Sequence, residues 1–326
     1  MTSATAASAA PRRKRLAERL MQRWTLAFAV LATLLAGFLL YRSLSDYSLA
    51  ELADALSGVA FSHVAAAGAF AAMSYLCLTG FDWIGLKYAG RSLPYRKVAL
   101  ASFVSLSIGH TVGFAALSSG AVRYRYYSTW GLSAQEVAKV VVMCGMTVGV
   151  GMLSLGGVAL LLDPATSVEM TGLGRGPVLA LGIANLMLVV AYLAAAAFVR
   201  RPLKLRKWRF EMPAPRLALA QVAIGSVNFA FVAACLHAAL LAVAEVSYPA
   251  TATAYVVANA TALFAHVPGG FGIIEAVVVH LLPQADVIAA VLVFRLVYYV
   301  VPLLVGGALL VGGEMLPSGA PATSGK

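Results

Sequence analysis

Eight apolar runs, at 24–42, 61–86, 98–119, 138–162, 177–199, 217–244, 250–282 and 286–312, dominate the sequence. A helix needs about 20 apolar residues to cross a ~30 Å hydrocarbon core, and most of these runs are that long. Of the 326 residues, 61% are hydrophobic and 11% charged, against about 45–50% and about 25% in soluble domains. A water-exposed fold cannot hide that much apolar surface around one core. The ordinary soluble enzyme, the disordered chain and the secreted disulfide scaffold are poor fits. The chain reads as an all-α polytopic membrane protein.

The 24 Lys and Arg against 13 Asp and Glu leave a net charge of +11. In a soluble chain that excess suggests nucleic acid, but no recognition motif accompanies it, and no nucleic acid partner is expected. The bases cluster between apolar runs, as cytoplasmic loops do under the positive-inside rule. Arg12, Arg13, Lys14, Arg15, Arg19 and Arg23 precede an apolar run from Trp24 to Tyr41, longer than the ~7–15-residue core of a signal peptide. Residues 1–23 are therefore expected to be a basic, disordered cytoplasmic tail, with 313–326 a second short tail. Cys77, Cys144 and Cys235 lie inside apolar runs without CxxC spacing and read as small buried hydrophobes.

Eight full spans fail on charge. With the N-terminus inside, Asp46, Glu51 and Asp54 fall outside and Lys87, Arg91, Arg96 and Lys97 inside. If 98–119 crossed, the basic residues Arg200, Arg201, Lys204, Arg206, Lys207, Arg209 and Arg216 would fall outside, while Asp163 and Glu169 would fall inside. A hairpin over 98–122, broken within Ile108–Gly113 and returning to the inner face, corrects every later loop. Residues 250–282 repeat the pattern from the outer face. Pro268, Gly269 and Gly270 break the run, and the arm from Gly272 to Leu282 is too short to span. The expected layout is about six full transmembrane helices plus two re-entrant helical hairpins. Its inverted halves are 24–162 and 177–312, within one membrane domain covering 24–312. Broken helices in inverted repeats are a transporter architecture. Segment 43–60 reads either as an amphipathic surface helix, with Ser48 and Glu51 as its N-terminal signal, or as a solvated acidic loop.

Arg295 lies well inside the last run, where a charge costs about 2.5–3.5 kcal/mol on insertion scales. It either forms a structural ion pair or snorkels, or it binds an anionic group such as a phosphate, which suits its fork. Glu275, five residues after the break, is its natural partner, or else a site for a coupling proton or cation. Asp82 either pairs with Arg123 or Arg125 or is solvated at the inner interface. The run Arg123-Tyr124-Arg125-Tyr126-Tyr127 reads as a headgroup grip or as an interfacial belt. His110 and His266 read as packing histidines before proton relays. Gly109/Gly113 and Gly145/Gly149 have the spacing of close helix crossings. No metalloprotease, nucleophile-elbow, Walker or dinucleotide motif is present. No enzyme activity and no cofactor or metal site is expected.

The sequence Gly120-Ala121-Val122-Arg123-Tyr124-Arg125 with Tyr127 and Gly131, then Pro268 through Glu275 (PGGFGIIE), then Phe294-Arg295, Tyr298-Tyr299 and Pro302 resembles the membrane region of lysylphosphatidylglycerol synthase/flippase proteins. These are the multiple peptide resistance factor proteins and their stand-alone YbhN-like relatives, and the resemblance covers roughly 24–312. It implies a bacterial inner (plasma) membrane protein with both termini cytoplasmic. In full-length members a soluble domain makes the aminoacylated lipid and the membrane region moves it outward, giving resistance to cationic antimicrobial peptides. This sequence ends at Lys326, so it is expected not to make the lipid. Arg123, Arg125, Glu275 and Arg295 match family motif positions; Asp82 matches more loosely.

The expected function is lipid translocation of flippase type, moving phospholipid, with aminoacylated phosphatidylglycerol a candidate. Arg123, Arg125, Arg295, Tyr298 and Tyr299 are the candidate headgroup-binding residues, and Glu275 and Asp82 the ion-pairing or coupling acids. Two other readings stay open: a non-transporting membrane partner of a separate lipid-modifying enzyme, and an ion-coupled small-solute transporter. A homo-oligomer is compatible with either.

Overall fold

Hydrocarbon offers backbone N–H and C=O groups no partners, so an apolar run satisfies them internally as a helix. The computed structural model describes residues 58–112, 115–199, 203–205, 208–265, 270, 272–281 and 287–315. Its elements in chain order are α1 (Phe61–Tyr88), α2 (Tyr95–Val112), α3 (Ala115–Thr129), α4 (Ala134–Leu162), α5 (Pro164–Thr171) and α6 (Arg175–Phe198). A β-ribbon follows, of β1 (Leu203–Leu205) and β2 (Trp208–Phe210). The chain continues with α7 (Pro215–Leu240), α8 (Tyr248–Ala265), α9 (Ile273–Leu281), α10 (Val287–Arg295), a π-turn (Leu296–Val300) and α11 (Val301–Met315). Among the described residues five helices are long and apolar enough to cross a membrane: α1, α4, α6, α7 and the continuous last helix over Val287–Gly312. The expected first span at 24–42 lies outside the described residues, as does segment 43–60 apart from its last residues.

Both hairpins return to the end they leave. Lys97 Nζ at the start of α2 sits 5.3 Å from the Trp130 ring just beyond α3. Arg91, before α2, donates to the Gly131 carbonyl at 2.7 Å and to Glu136 at 2.8 Å. At the opposite end, Glu245 and Ser247 before α8 share one cleft with His280 and Leu281 at the end of α9 and with Asp163 and Glu169. The bundle thus has a basic end, carrying Lys87, Arg91 and Lys97, and an acidic end, carrying Asp163, Glu169 and Glu245.

The first hairpin is longer than the expected 98–122. Its arms have 18 and 15 residues, and the helix runs on through Ile108, Gly109 and His110 to Val112; Gly113, the last residue of the expected Ile108–Gly113 stretch, lies between the arms and outside the described residues. Gly109 is spent on packing instead: a Cβ there would come within 2.7 Å of Ser119 Cβ on the returning arm. The second hairpin keeps its expected short arm, since the nine residues of α9 rise only about 14 Å.

Helix α1 lies along α7, α2 packs on α11, and α8 packs on α4. Helices α4 and α7 cross at Gly151 and Gly225, where a Cβ on Gly151 would meet the Gly225 carbonyl oxygen at 2.6 Å. Gly145 and Gly149, whose spacing would also permit a close crossing, have open space around them. Helix α4 starts on a reciprocal cap: Ser133 Oγ accepts from Glu136 N, and Glu136 accepts from Ser133 N at 2.7 Å.

Between α6 and α7, where a basic loop was expected, the backbone forms a short antiparallel ribbon with Lys204 opposite Arg209. Arg200, Arg201, Arg206 and Lys207 lie outside the described residues. A short helix, α5, lies in what was expected to be an outer loop. It is capped by Asp163, which accepts from Thr166 N at 3.1 Å, and it is closed by Gly172 in the left-handed region.

Candidate functional site: two intramembrane ion pairs

Proline has no N–H, and its ring crowds the carbonyl four residues back. Pro302 therefore cannot close the helix onto Tyr298. The last helix widens there into the π-turn, with Val301 N–H reaching back to Leu296 O. The Tyr298 carbonyl accepts the Tyr75 hydroxyl of α1 at 3.2 Å. Single π-turns inside helices recur at functional sites, and Arg295 is the residue just before this one.

Arg295 is 2% exposed. Its Nε donates to Glu275 Oε1, its Nη2 donates to Glu275 Oε2 at 2.7 Å, and the same Nη2 donates to the Gly270 carbonyl at 3.1 Å. Its guanidinium carbon lies 5.6 Å from the centre of the Tyr299 ring. Gly270 supplies that carbonyl from the hairpin turn at φ +62°, a conformation open to glycine without steric cost. Pro268 and Gly269 lie outside the described residues, as does His266. The carboxylate of Glu275 keeps 20% side-chain exposure, so the pair is sealed on the arginine side only.

The second pair is closed on both sides. Asp82 on α1 and Arg123 on α3 have side-chain exposures of 0% and 2%. Arg123 Nη2 donates to Asp82 Oδ1 at 2.7 Å and its Nε donates to Oδ2 at 2.9 Å. Tyr127 Oη donates to Oδ2 at 2.6 Å, Ser102 Oγ to Oδ1 at 3.1 Å, and the Cys144 thiol approaches Oδ1 at 3.5 Å. Arg123 Nη1 donates to Ser119 Oγ at 2.8 Å. Of the two arginines expected near Asp82, Arg123 is the one on it. Arg125, two residues on along the helix, is half-buried.

Tyr298 and Tyr299 join the two sites' surroundings to the core. Tyr298 Oη meets Ser74 Oγ at 3.1 Å, and Ser74 donates to Asn228 Oδ1 of α7 at 2.8 Å. The Tyr298 ring is stacked between Phe294 at 5.5 Å and His110 at 6.1 Å, which makes His110 a packing ring between the first hairpin and the last helix. Cys144 and Cys235 are buried and Cys77 is partly so; all three are free thiols. Reading the sequence for charge missed Ser74, Tyr75, Ser102, Asn228 and Gln221, whose amide donates to the Met143 carbonyl at 3.1 Å and to Thr147 Oγ1 at 2.9 Å. The available signal was the pair Gln221 and Asn228, two amides seven residues apart in one apolar run, hence on one helix face.

Residues 24–306 match the family model described as the lysylphosphatidylglycerol synthase TM region. An uncharacterized Synechocystis protein, slr0712, is 30% identical over 264 residues, covering 80% of this chain and 82% of the relative. The inner membrane protein YbhN of Escherichia coli is 29% identical over 238 residues, covering 71% of this chain and 74% of the relative.

Proposed function

The chain belongs to the lysylphosphatidylglycerol synthase TM-region family, and from that premise we propose that it is a lipid translocase of the bacterial inner membrane. The cargo is a phospholipid, with aminoacylated phosphatidylglycerol the leading candidate, and the basic end of the bundle faces the cytoplasm together with both termini. The observation that carries this reading is the Glu275–Arg295 pair. A guanidinium that gives its Nε and Nη2 to one carboxylate can give the same fork to a lipid phosphate. Glu275 holds the place of that phosphate in the resting protein. Its residual exposure marks the side from which the headgroup arrives, while the acyl chains stay in the bilayer. Gly270, at positive φ, and the π-turn after Arg295 are the backbone irregularities that let the short arm α9 move against the last helix.

Headgroup-accessible scrambling in proteoliposomes tests the proposal, comparing aminoacylated phosphatidylglycerol, phosphatidylglycerol and phosphatidylethanolamine. Movement of any of them that Arg295→Ala abolishes, with folding intact, supports it, and the ranking identifies the cargo. Movement unchanged by Arg295→Ala removes Arg295 from the mechanism. No movement above empty liposomes favours the non-transporting partner of a lipid-modifying enzyme.

A further inference from the structure

Helices α1 and α7 leave a groove between them on the outside of the bundle, about 420 Å³ in volume. Gly80, Trp83 and Ile84 line it from α1, and Ala220, Ala223 and Val227 from α7. Those positions are the i, i+3, i+4, i+7 stripes of the two helices. The wall is almost wholly apolar, and Trp83 and Val227 are 44% and 45% exposed, so the groove opens on the hydrocarbon.

Each stripe ends on a cation. Three residues beyond Ile84 on α1 comes Lys87, and four residues before Ala220 on α7 comes Arg216. The helices are antiparallel, so both cations fall at the same, basic end. Tyr88 fixes that level by donating its hydroxyl to the Glu211 carbonyl, just ahead of α7, at 2.7 Å. Lys87 and Arg216 are both exposed, and Lys87 Nζ stands 5.2 Å from the Trp83 ring centre, as a lysine does beside an interfacial tryptophan. The groove is lined on α1 from Gly80 to Ile84, and Lys87 stands about 10 Å beyond Gly80 along the helix, most of the ~15 Å depth of one leaflet.

We infer that this groove seats an anionic phospholipid of the leaflet at the basic end, its phosphate between Lys87 and Arg216 and one acyl chain along Gly80, Trp83 and Ala223. Charge complementarity selects the occupant. An uncharged or zwitterionic lipid gains the apolar wall alone, whereas an anionic one gains about fivefold in affinity from each cation. The site lies on the outer wall of the bundle and holds its lipid whether or not the protein moves lipid through Arg295.

Bromine on an acyl chain quenches a tryptophan it touches, and Trp83 lines the groove. The test uses the full chain with Trp24→Phe, Trp130→Phe and Trp208→Phe, reconstituted with dibrominated phosphatidylglycerol or dibrominated phosphatidylcholine. Trp83 is expected to be quenched by both lipids, with phosphatidylglycerol preferred by about twenty-five-fold at low salt. In Lys87→Gln/Arg216→Gln the preference falls to about one while quenching persists, and Ala223→Phe, which fills the groove, lowers quenching by both lipids. Equal affinity for the two lipids, or a preference that survives the double substitution, overturns the proposal. So does absence of quenching, which would put a protein segment such as 24–42 in the groove. Lipid retained by the otherwise unaltered chain and by Lys87→Gln/Arg216→Gln, read by native mass spectrometry, decides the question without removing any tryptophan: equal retention of phosphatidylglycerol by both rejects the site.

Discussion

Arg295 and Glu275 meet fork to fork, and only the carboxylate of the pair keeps contact with the surroundings, at 20% exposure against 2%. The partner that can be displaced is therefore the acid, and the group that stays is the base. Arg295→Lys keeps the charge but loses the planar fork and the carbonyl bond to Gly270. A charge-assisted hydrogen bond contributes about 1.5–3 kcal/mol, so the rate of lipid movement should fall by at least about tenfold. A lysine variant that scrambles lipid at the parent rate would show that a point charge suffices and that the fork has no part in recognition.

Asp82 and Arg123 should behave differently, because neither side reaches solvent. Removing one member of a fully buried pair strands a charge and costs about 3–5 kcal/mol. Asp82→Asn is expected to lose that much in denaturant unfolding in detergent, and Glu275→Gln clearly less. Adding Arg123→Gln to Asp82→Asn should recover part of the loss, since the stranded charge goes with it. If Asp82→Asn and Glu275→Gln cost the same, the difference in exposure carries no energetic weight.

Five of the expected spans and both hairpins were legible because they follow from two strong constraints: the length of helix a bilayer requires and the sign of the charges between runs. Glu275 with Arg295 was legible for a related reason. Few ionisable residues lie deep in this membrane domain, and each must find a partner. The uncharged polar network was not legible. Ser74, Tyr75 and Asn228 cost little individually in an apolar run, and only the folded arrangement brings them to Tyr298. The first hairpin's arms were drawn too short because Gly109 signals either a break or a close contact, and only the position of Ser119 decides between them. The β-ribbon at 203–210 was hidden by its charge, which masks the alternation of Leu203, Leu205, Trp208 and Phe210.

The glycines of α4 give a contrast of sign. Gly151→Ala pushes a methyl into the Gly225 carbonyl at 2.6 Å, and forcing atoms into a packed contact costs about 1–3 kcal/mol. Gly149→Ala meets nothing within 4 Å and gains up to about 1 kcal/mol of helix propensity. Thermal unfolding in one detergent should move the two variants in opposite directions. If both fall together, the α4–α7 crossing is not set by Gly151.

Pro302 and Tyr75 should be coupled, although they lie on different helices. The Tyr298 carbonyl that lacks a proline N–H partner takes the Tyr75 hydroxyl, a bond of about 0.5–1.5 kcal/mol. Tyr75→Phe should cost that amount in the parent and close to nothing once Pro302→Ala has supplied the helical N–H. A double-mutant cycle measures the coupling directly. Additive effects would mean that Tyr75 stabilises the last helix by packing alone.

Asp163 ties the acidic end together. It accepts from Thr166 N at 3.1 Å as the cap of α5, and from Ser247 Oγ at 3.1 Å across to the start of α8. Burial is the largest single influence and raises its carboxyl pKa, but the bonds from Thr166 and Ser247 together outweigh it and hold it below the usual carboxylate value. A depressed folded pKa contributes stability above the unfolded value, about 3.9, and that stability is lost as the pH falls through the folded pKa. Asp163→Ala should therefore be destabilised by about 0.5–2 kcal/mol near neutrality, the range for losing an N-cap. The gap to the parent protein should narrow as the pH is lowered below about 4. Unfolding curves of the two proteins in detergent at pH 7 and at pH 3 decide it: a gap equally wide at both values would mean that the charge of Asp163 contributes nothing and that its cap acts through geometry alone.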